Sequence, residues 1–290
     1  MSGSRPLKRL LKKVLDFVGL ELRRVPRAGH RDRNSISGAL DQVRRLGWQP
    51  RACIDVGAAF GDFTVACARV FQSARYLLVE PLEEYKAFLD KIVAELPEAC
   101  YSMVAAAAHS GSIEIHVHRD LVGSSLFGEA EGMQVDGCKR TVHAITLDQL
   151  CHAHQITGPY LIKVDVQGAE LEVLKGAGEV LRNTEYVILE TSLFRFFIGG
   201  PQFDAVVEFM KSKGFVPYDI LGLSYRPFDG ALAQVDVAFV QEAGIFRKHH
   251  IYATPQQRTA QDGGFLEIAR QRRRELRGRR WHRVRARAGM

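Results

Sequence analysis

Four carboxylates and one imidazole stand where an open parallel sheet does its chemistry. Asp55 and Asp165 each tip an apolar run and lead into a glycine turn, Glu80 and Glu190 end two further runs, and His109 follows a fifth. After Asp55 the chain passes Gly57, Ala59 and Gly61 before Phe63, Val65, Ala66, Ala68 and Val70 recur at helical spacing. A buried strand, a glycine turn and a helix bring a ligand against backbone N–H groups at a helix N-terminus. Glu80 comes 23 positions after Gly57 and is followed by Pro81, which stops the strand. At that spacing an acid can accept hydrogen bonds from both ribose hydroxyls of a nucleotide. Tyr160 to Glu170 repeats the pattern: an apolar strand, Asp165 near its end, Gly168 in the turn, then a helix. Two such units in one chain are far less probable by chance than one.

The elements that must hold these groups follow in order. Strands near 52–56, 75–80, 101–108, 160–165 and 183–190 alternate with helical segments, among them 37–46, 82–96 and 203–214. Such alternation predicts an α/β fold, a Rossmann-like, mostly parallel sheet with right-handed crossovers and helices on both faces. Ligands of such sheets lie outside the carboxyl ends of the strands, where all five groups fall. Segments 215–221 and 236–240 are joined through a Gly/Pro-rich turn with no helix between them, so they pair antiparallel. Ile113, Ile115 and Val117 alternate as in a half-exposed strand, and 141–148 reads as extended. Residues 121–140 form a long irregular loop, a feature more often functional than decorative. Its Gly123 to Phe127 portion is a candidate wall on the acceptor side.

Composition sets the outer bounds. The 290 residues, 46% hydrophobic, suffice for a substantial core. No run of 18 apolar residues occurs, and the basic N-terminus lacks the contiguous apolar core of a signal peptide. Cys53, Cys67, Cys100, Cys138 and Cys151 are odd in number and show no C-x-x-C spacing. They read as reduced thiols in a cytoplasmic protein with no zinc site. The net charge of +7 is unevenly spread: residues 1–33 carry +7, residues 247–290 carry +10, and the body carries −10. Leu7, Leu10, Leu11, Val14, Leu15 and Val18, with lysines between them, make a basic amphipathic helix over 7–18. It either lies on an anionic membrane surface or packs its leucines on the body. Arg270 to Arg287 holds ten arginines around Trp281. That tail is either an anionic-surface or nucleic-acid patch, or a solvated helix.

Taken together, Ile54 to Phe63, Val79 to Pro81, Ala106 to Gly111, Ile145 to Asp148 and Leu161 to Gly176 resemble the FkbM family of class I S-adenosylmethionine-dependent methyltransferases. Gln234 to Val240 fits the family's closing strand, and the likeness covers about residues 50–242. The resemblance implies a seven-stranded sheet with the last strand inserted antiparallel, and S-adenosylmethionine as cofactor. Charge and composition set off a basic leader over 1–33 and an arginine-rich tail over 247–290, leaving 34–246 for the methyltransferase domain that the resemblance implies. Asp55 and Gly57 would hold the methionine end, Glu80 the ribose hydroxyls, and the Ala107–His109 region around Ala108 the adenine, with Ala59, Gly61, Pro81 and Asp165 also at the cofactor. Asp165 would face the sulfonium or the acceptor. Ala59 stands where the family usually has Asn, and Gln167 where it often has Glu. Methyl transfer to oxygen needs an in-line hydroxyl and a group to take its proton, for which Asp165, His109 and Glu190 are candidates in that order. The family implies a small-molecule or glycan acceptor, such as a hydroxyl of a sugar, glycolipid or polyketide-type product.

Three alternatives remain at this level. An NAD-dependent oxidoreductase uses a similar sheet, but it calls for a middle glycine where Ala59 stands. A Mg²⁺ site could draw on Asp165 and Glu190, although no third oxygen ligand is evident. A binding protein acting through the basic tail would need no active site at all. Nucleic acid is not the expected substrate, and the oligomeric state is open.

Overall fold

The computed structural model describes residues 32–278. The 7–18 helix expected from sequence, and the tail beyond Gly278, lie outside the described residues. The chain divides into two compact units, Met1–Phe246 and Arg247–Met290.

The first unit opens with α1 (Ile36–Arg45), where Ser35 Oγ accepts a hydrogen bond of 3.1 Å from Gly38 N. An N-cap of this kind satisfies one of the helix's free donors. β1 (Ala52–Val56), α2 (Asp62–Val70), β2 (Arg75–Val79), α3 (Lys86–Glu95) and β3 (Ala99–Ser102) follow. Next come β4 (Ala105–Ala106), β5 (Gly111–Val117), β6 (Cys138–Ile145) and α4 (Leu147–Ala153). The chain then forms β7 (Tyr160–Val164), α5 (Glu170–Lys175), α6 (Gly178–Arg182), β8 (Thr184–Ser192) and α7 (Phe203–Ser212). β9 (Phe215–Tyr225) and β10 (Leu232–Gln241) complete it.

The main sheet has seven strands in the order β3-β2-β1-β7-β8-β10-β9. β1 pairs parallel with β2 and β7, while β10 runs antiparallel to both β8 and β9. The expected architecture is therefore present, including the inserted antiparallel strand. Side chains alternate across the sheet as a pleat demands. Ala52, Ile54 and Val56 pack beneath α4, α5, α6 and α7, while Cys53 and Leu161 pack against α1, α2 and α3. Each fully buried Ile or Leu on these faces contributes about 1.5–3 kcal/mol.

The sequence reading differs from the structure at the third strand. Residues 101–108 are not one strand: β3 ends at Ser102, and Ala105–Ala106 join a separate three-stranded sheet beside β6. Alanines add little side-chain surface to a sheet core, so nothing holds this run in the main sheet. β6 also begins at Cys138, inside the expected loop, and pairs antiparallel with β5. Its first half is exposed and anchored by charge: Lys139 Nζ lies 2.6 Å from Glu114 Oε1, and Arg140 grips Glu84 through two nitrogens. Hydrophobic periodicity cannot reveal a strand held in that way.

In the second unit, α8 (Pro255–Gly278) opens on a capping box. Gln257 N donates to Thr254 Oγ1 at 3.3 Å and Thr254 N to Gln257 Oε1 at 2.8 Å. Among the described residues no helix is long and apolar enough to cross a membrane.

Candidate active site

The turns after β1 and β7 meet backbone to backbone. Asp165 N donates to Val56 O at 3.0 Å. A Cβ on Gly57 would stand 1.8 Å from the Asp165 carbonyl oxygen, and Gly57 has a φ of +76°. Both its left-handed backbone and the neighbouring turn therefore require glycine there. Ala59 also adopts positive φ, at 45°. Its N–H donates to Glu80 Oε2 at 2.9 Å, while Leu82 N donates to Glu80 Oε1 at 2.9 Å. A carboxylate has about four acceptor positions, so these two bonds fix Glu80 and leave room for two more.

Gly57, Ala59, Glu80, Pro81 and Asp165 line one cleft, with about 850 Å³ of empty space when its mouth is included. The apolar wall comes from Leu82, Val104, Ala105, Ala106, Ala107 and Ile113. The alanine run, poor as a strand, leaves space in front of its own backbone. The loop closes the opposite side through Ser124, Ser125 and Leu126. Ser125 Oγ donates to Gln167 O at 2.6 Å and so ties that loop to the turn after β7. Gln167 (φ 53°) and Gly168 (φ 92°) turn the chain, and Glu170 Oε1 accepts from Val166 N and Gly168 N at 3.2 and 3.1 Å.

Below the cleft, on the α1–α2 side, lies a row of charge that the period of two places on one face. Asp55 is opposite Lys163 in the β1–β7 register, and Glu190 is opposite Asp236 in the β8–β10 register. Lys163 Nζ contacts Asp165 Oδ2 at 2.6 Å. Gln167 Nε2 donates to both Asp165 Oδ1 and Glu190 Oε2 at 2.9 Å, and Gln234 Nε2 donates to the same Glu190 oxygen at 2.9 Å. Burial disfavours the Lys163 ammonium, but Asp165 and Asp55 outweigh it and hold its pKa above the ordinary value. Burial raises Asp55, against opposition from Lys163 and Thr64. Burial, reinforced by Asp165 and Asp236, pushes Glu190 up to about 8. Burial takes Glu80 up to about 7 despite its two backbone donors, and Glu170 up to about 7 likewise. Asp236 rises to about 6, again by burial, with Lys163 opposing.

The remaining residues singled out from sequence fall elsewhere. Asp55 turns its carboxylate away from the cleft: Oδ2 accepts from Thr64 N at 3.2 Å and Thr64 Oγ1 at 2.8 Å, fastening α2 to β1. It borders an adjoining cavity together with Lys163, Asp165, Glu190 and Asp236. Gly61 caps α2 in a left-handed conformation, and a Cβ there would meet Ile92 Cδ1 at 2.1 Å. Ala108 lies just beyond the alanines of the wall, and His109 is exposed and outside the cleft lining. Sequence reasoning missed Lys163 and Asp236. The available signal was a single charge inside each of two mostly apolar strands. Among the described residues no group of three or more His, Cys, Asp or Glu side chains is arranged to hold a metal ion.

Strand order, inserted antiparallel strand and strand-tip cleft together define a Rossmann-like α/β protein of the methyltransferase kind. The family described as "Methyltransferase FkbM domain" matches residues 55–217, more than half of the chain, and the protein belongs to that family. Membership sets aside the oxidoreductase alternative. Among curated proteins, hexuronic acid methyltransferase AglP of Haloferax volcanii is 42% identical over 50 residues, 17% of this chain and 21% of that protein. The chain thus matches about a fifth of that relative's length. Methyltransferase FkbM from Methylobacillus flagellatus KT aligns at a TM-score of 0.40 and 14% identity, covering 64% of this chain and 43% of that one. The 1,6-didemethyltoxoflavin-N1-methyltransferase of Burkholderia thailandensis, solved with S-adenosylhomocysteine bound, aligns at 0.37 and 13%, covering 83% and 91%.

Proposed function

We propose that the protein transfers a methyl group from S-adenosylmethionine to a hydroxyl of a sugar, glycolipid or polyketide-type product. The observation that carries this reading is the convergence of the Gly57–Ala59 turn, Glu80 and Asp165 on one cleft. S-adenosylmethionine, when bound, supplies an electrophilic methyl on a sulfonium. The residues present suit it. Glu80 keeps acceptor positions for two ribose hydroxyls, and the Val104–Ala107 wall offers an apolar face to adenine.

At the other end, Asp165 is held from both sides by Lys163 and Gln167. So engaged, it orients the acceptor hydroxyl more than it removes a proton. Glu190 is bonded to the same Gln167 amide, and in its charged form, which burial confines to pH values near and above about 8, it is the group that accepts the proton. His109, out in solvent, receives no role. The sugar in the name of the haloarchaeal relative supports a glycan acceptor.

Thermal melting of the purified protein tests the cofactor. S-adenosylhomocysteine should raise the midpoint and NADH should not. A midpoint that NADH raises and S-adenosylhomocysteine leaves alone would sink the proposal.

A further inference from the structure

A second cavity opens beside the cofactor cleft, with about 1670 Å³ of empty space including its mouth. Gln167 lines both cavities, so they meet at the turn that follows Asp165. The end of β5, the loop across 129–138, Phe196 and Phe197, and the β9–β10 hairpin enclose it. The loop is stitched in place: Ala130 N donates to Phe196 O at 2.7 Å and Ile198 N to Gly128 O at 2.8 Å.

The charges around this cavity are unequal. Asp120, Glu129, Glu131 and Asp136 line it against two permanent cations, Arg119 and Arg226. Arg226 is already committed: Nε and Nη2 contact Asp229 at 2.8 and 2.6 Å, and its guanidinium stacks 3.7 Å over Phe194. An anionic guest would therefore meet more carboxylates than available cations, and like charges brought together cost binding energy. A neutral polyol would meet acceptors for its hydroxyl protons and a faced aromatic, Tyr225, which is 60% exposed. A separate feature points the same way. His118 Nε2 is buried with no hydrogen-bond partner, 3.9 Å from both Glu129 Oε1 and Asp136 Oδ1. An unsatisfied buried nitrogen is costly unless a ligand or water completes it, and a hydroxyl does so without bringing charge.

We propose that this cavity is the acceptor site and that its acceptor is an uncharged, polyhydroxylated compound, a neutral sugar and not a uronate. The inference rests on the methyl-transfer reading above and narrows its substrate class.

The test is ligand-observed saturation-transfer NMR on the full-length protein with S-adenosylhomocysteine. The probes are methyl α-D-glucopyranoside, methyl α-D-mannopyranoside and methyl α-D-glucopyranosiduronate. At least one neutral glycoside should bind about tenfold more tightly than the uronate, which corresponds to 1.4 kcal/mol. In the Glu129→Gln/Glu131→Gln variant that preference should shrink by about threefold or more, as expected where charges set specificity. Equal or tighter binding of the uronate would overturn the proposal. So would an unchanged preference in the variant, or no glycoside binding while S-adenosylhomocysteine is bound. Failure to bind S-adenosylhomocysteine would instead remove the methyl-transfer reading, and this inference with it.

Discussion

Glu80 joins the first glycine turn to the end of β2, and its remaining acceptor positions face the cleft. Glu80→Gln should weaken S-adenosylhomocysteine about 10- to 100-fold by calorimetric titration, the range for hydrogen bonds to a charged group. Because burial holds the Glu80 pKa at about 7, and ribose donors favour the charged form, affinity should rise as pH climbs from 6 to 8. The glutamine variant should lose that slope. Glu190 tests the same physics through stability. Its folded pKa of about 8 lies above the ordinary 4.5, so the folded state keeps a proton that the unfolded state releases. Stability should then fall as pH rises between those values. Glu190→Gln should be more stable than the parent at pH 9 by roughly a few kcal/mol in urea melts, and near parity at pH 5. Gln167 was legible only as a departure from the family's usual Glu. Its amide bridges two carboxylates that a third acid at that position would repel.

At the scale of elements, the two strand–turn–helix units were readable because their strands are short apolar runs and their turns need glycine. Gly57→Ala forces a Cβ into the Asp165 carbonyl. It should cost several kcal/mol, on the order of the largest single-site effects, and be seen as a lowered melting point or insoluble expression. Asp148, on α4, accepts from Glu179 N at 3.0 Å and Val180 N at 2.9 Å at the start of α6. Asp148→Ala should cost about 1 kcal/mol, as lost helix caps do, with cofactor binding retained. The three-stranded sheet was less legible, for physical reasons. β4 is two alanines, and the outer half of β6 is secured by ion pairs, so neither leaves an alternating apolar signature. Position on a strand end also singled out His109, which is exposed, since spacing reports which end of a strand a residue occupies and not which way its side chain turns.

At the scale of the whole molecule, an acidic body carries basic termini. The fold and the cleft belong to the unit that ends at Phe246. A protein truncated after residue 246 should bind S-adenosylhomocysteine within about twofold of the full chain, a difference below about 0.5 kcal/mol. It should also be retained less by RNA or anionic vesicles at low salt, because counterion release scales with the cations removed. Filter binding across a salt series measures both arms.

Gln167 borders two chambers at once, and this has a kinetic corollary. If the second chamber takes the acceptor as proposed, a nucleoside in the first should change how firmly that guest is held, and product-inhibition patterns would reveal the order of addition and release.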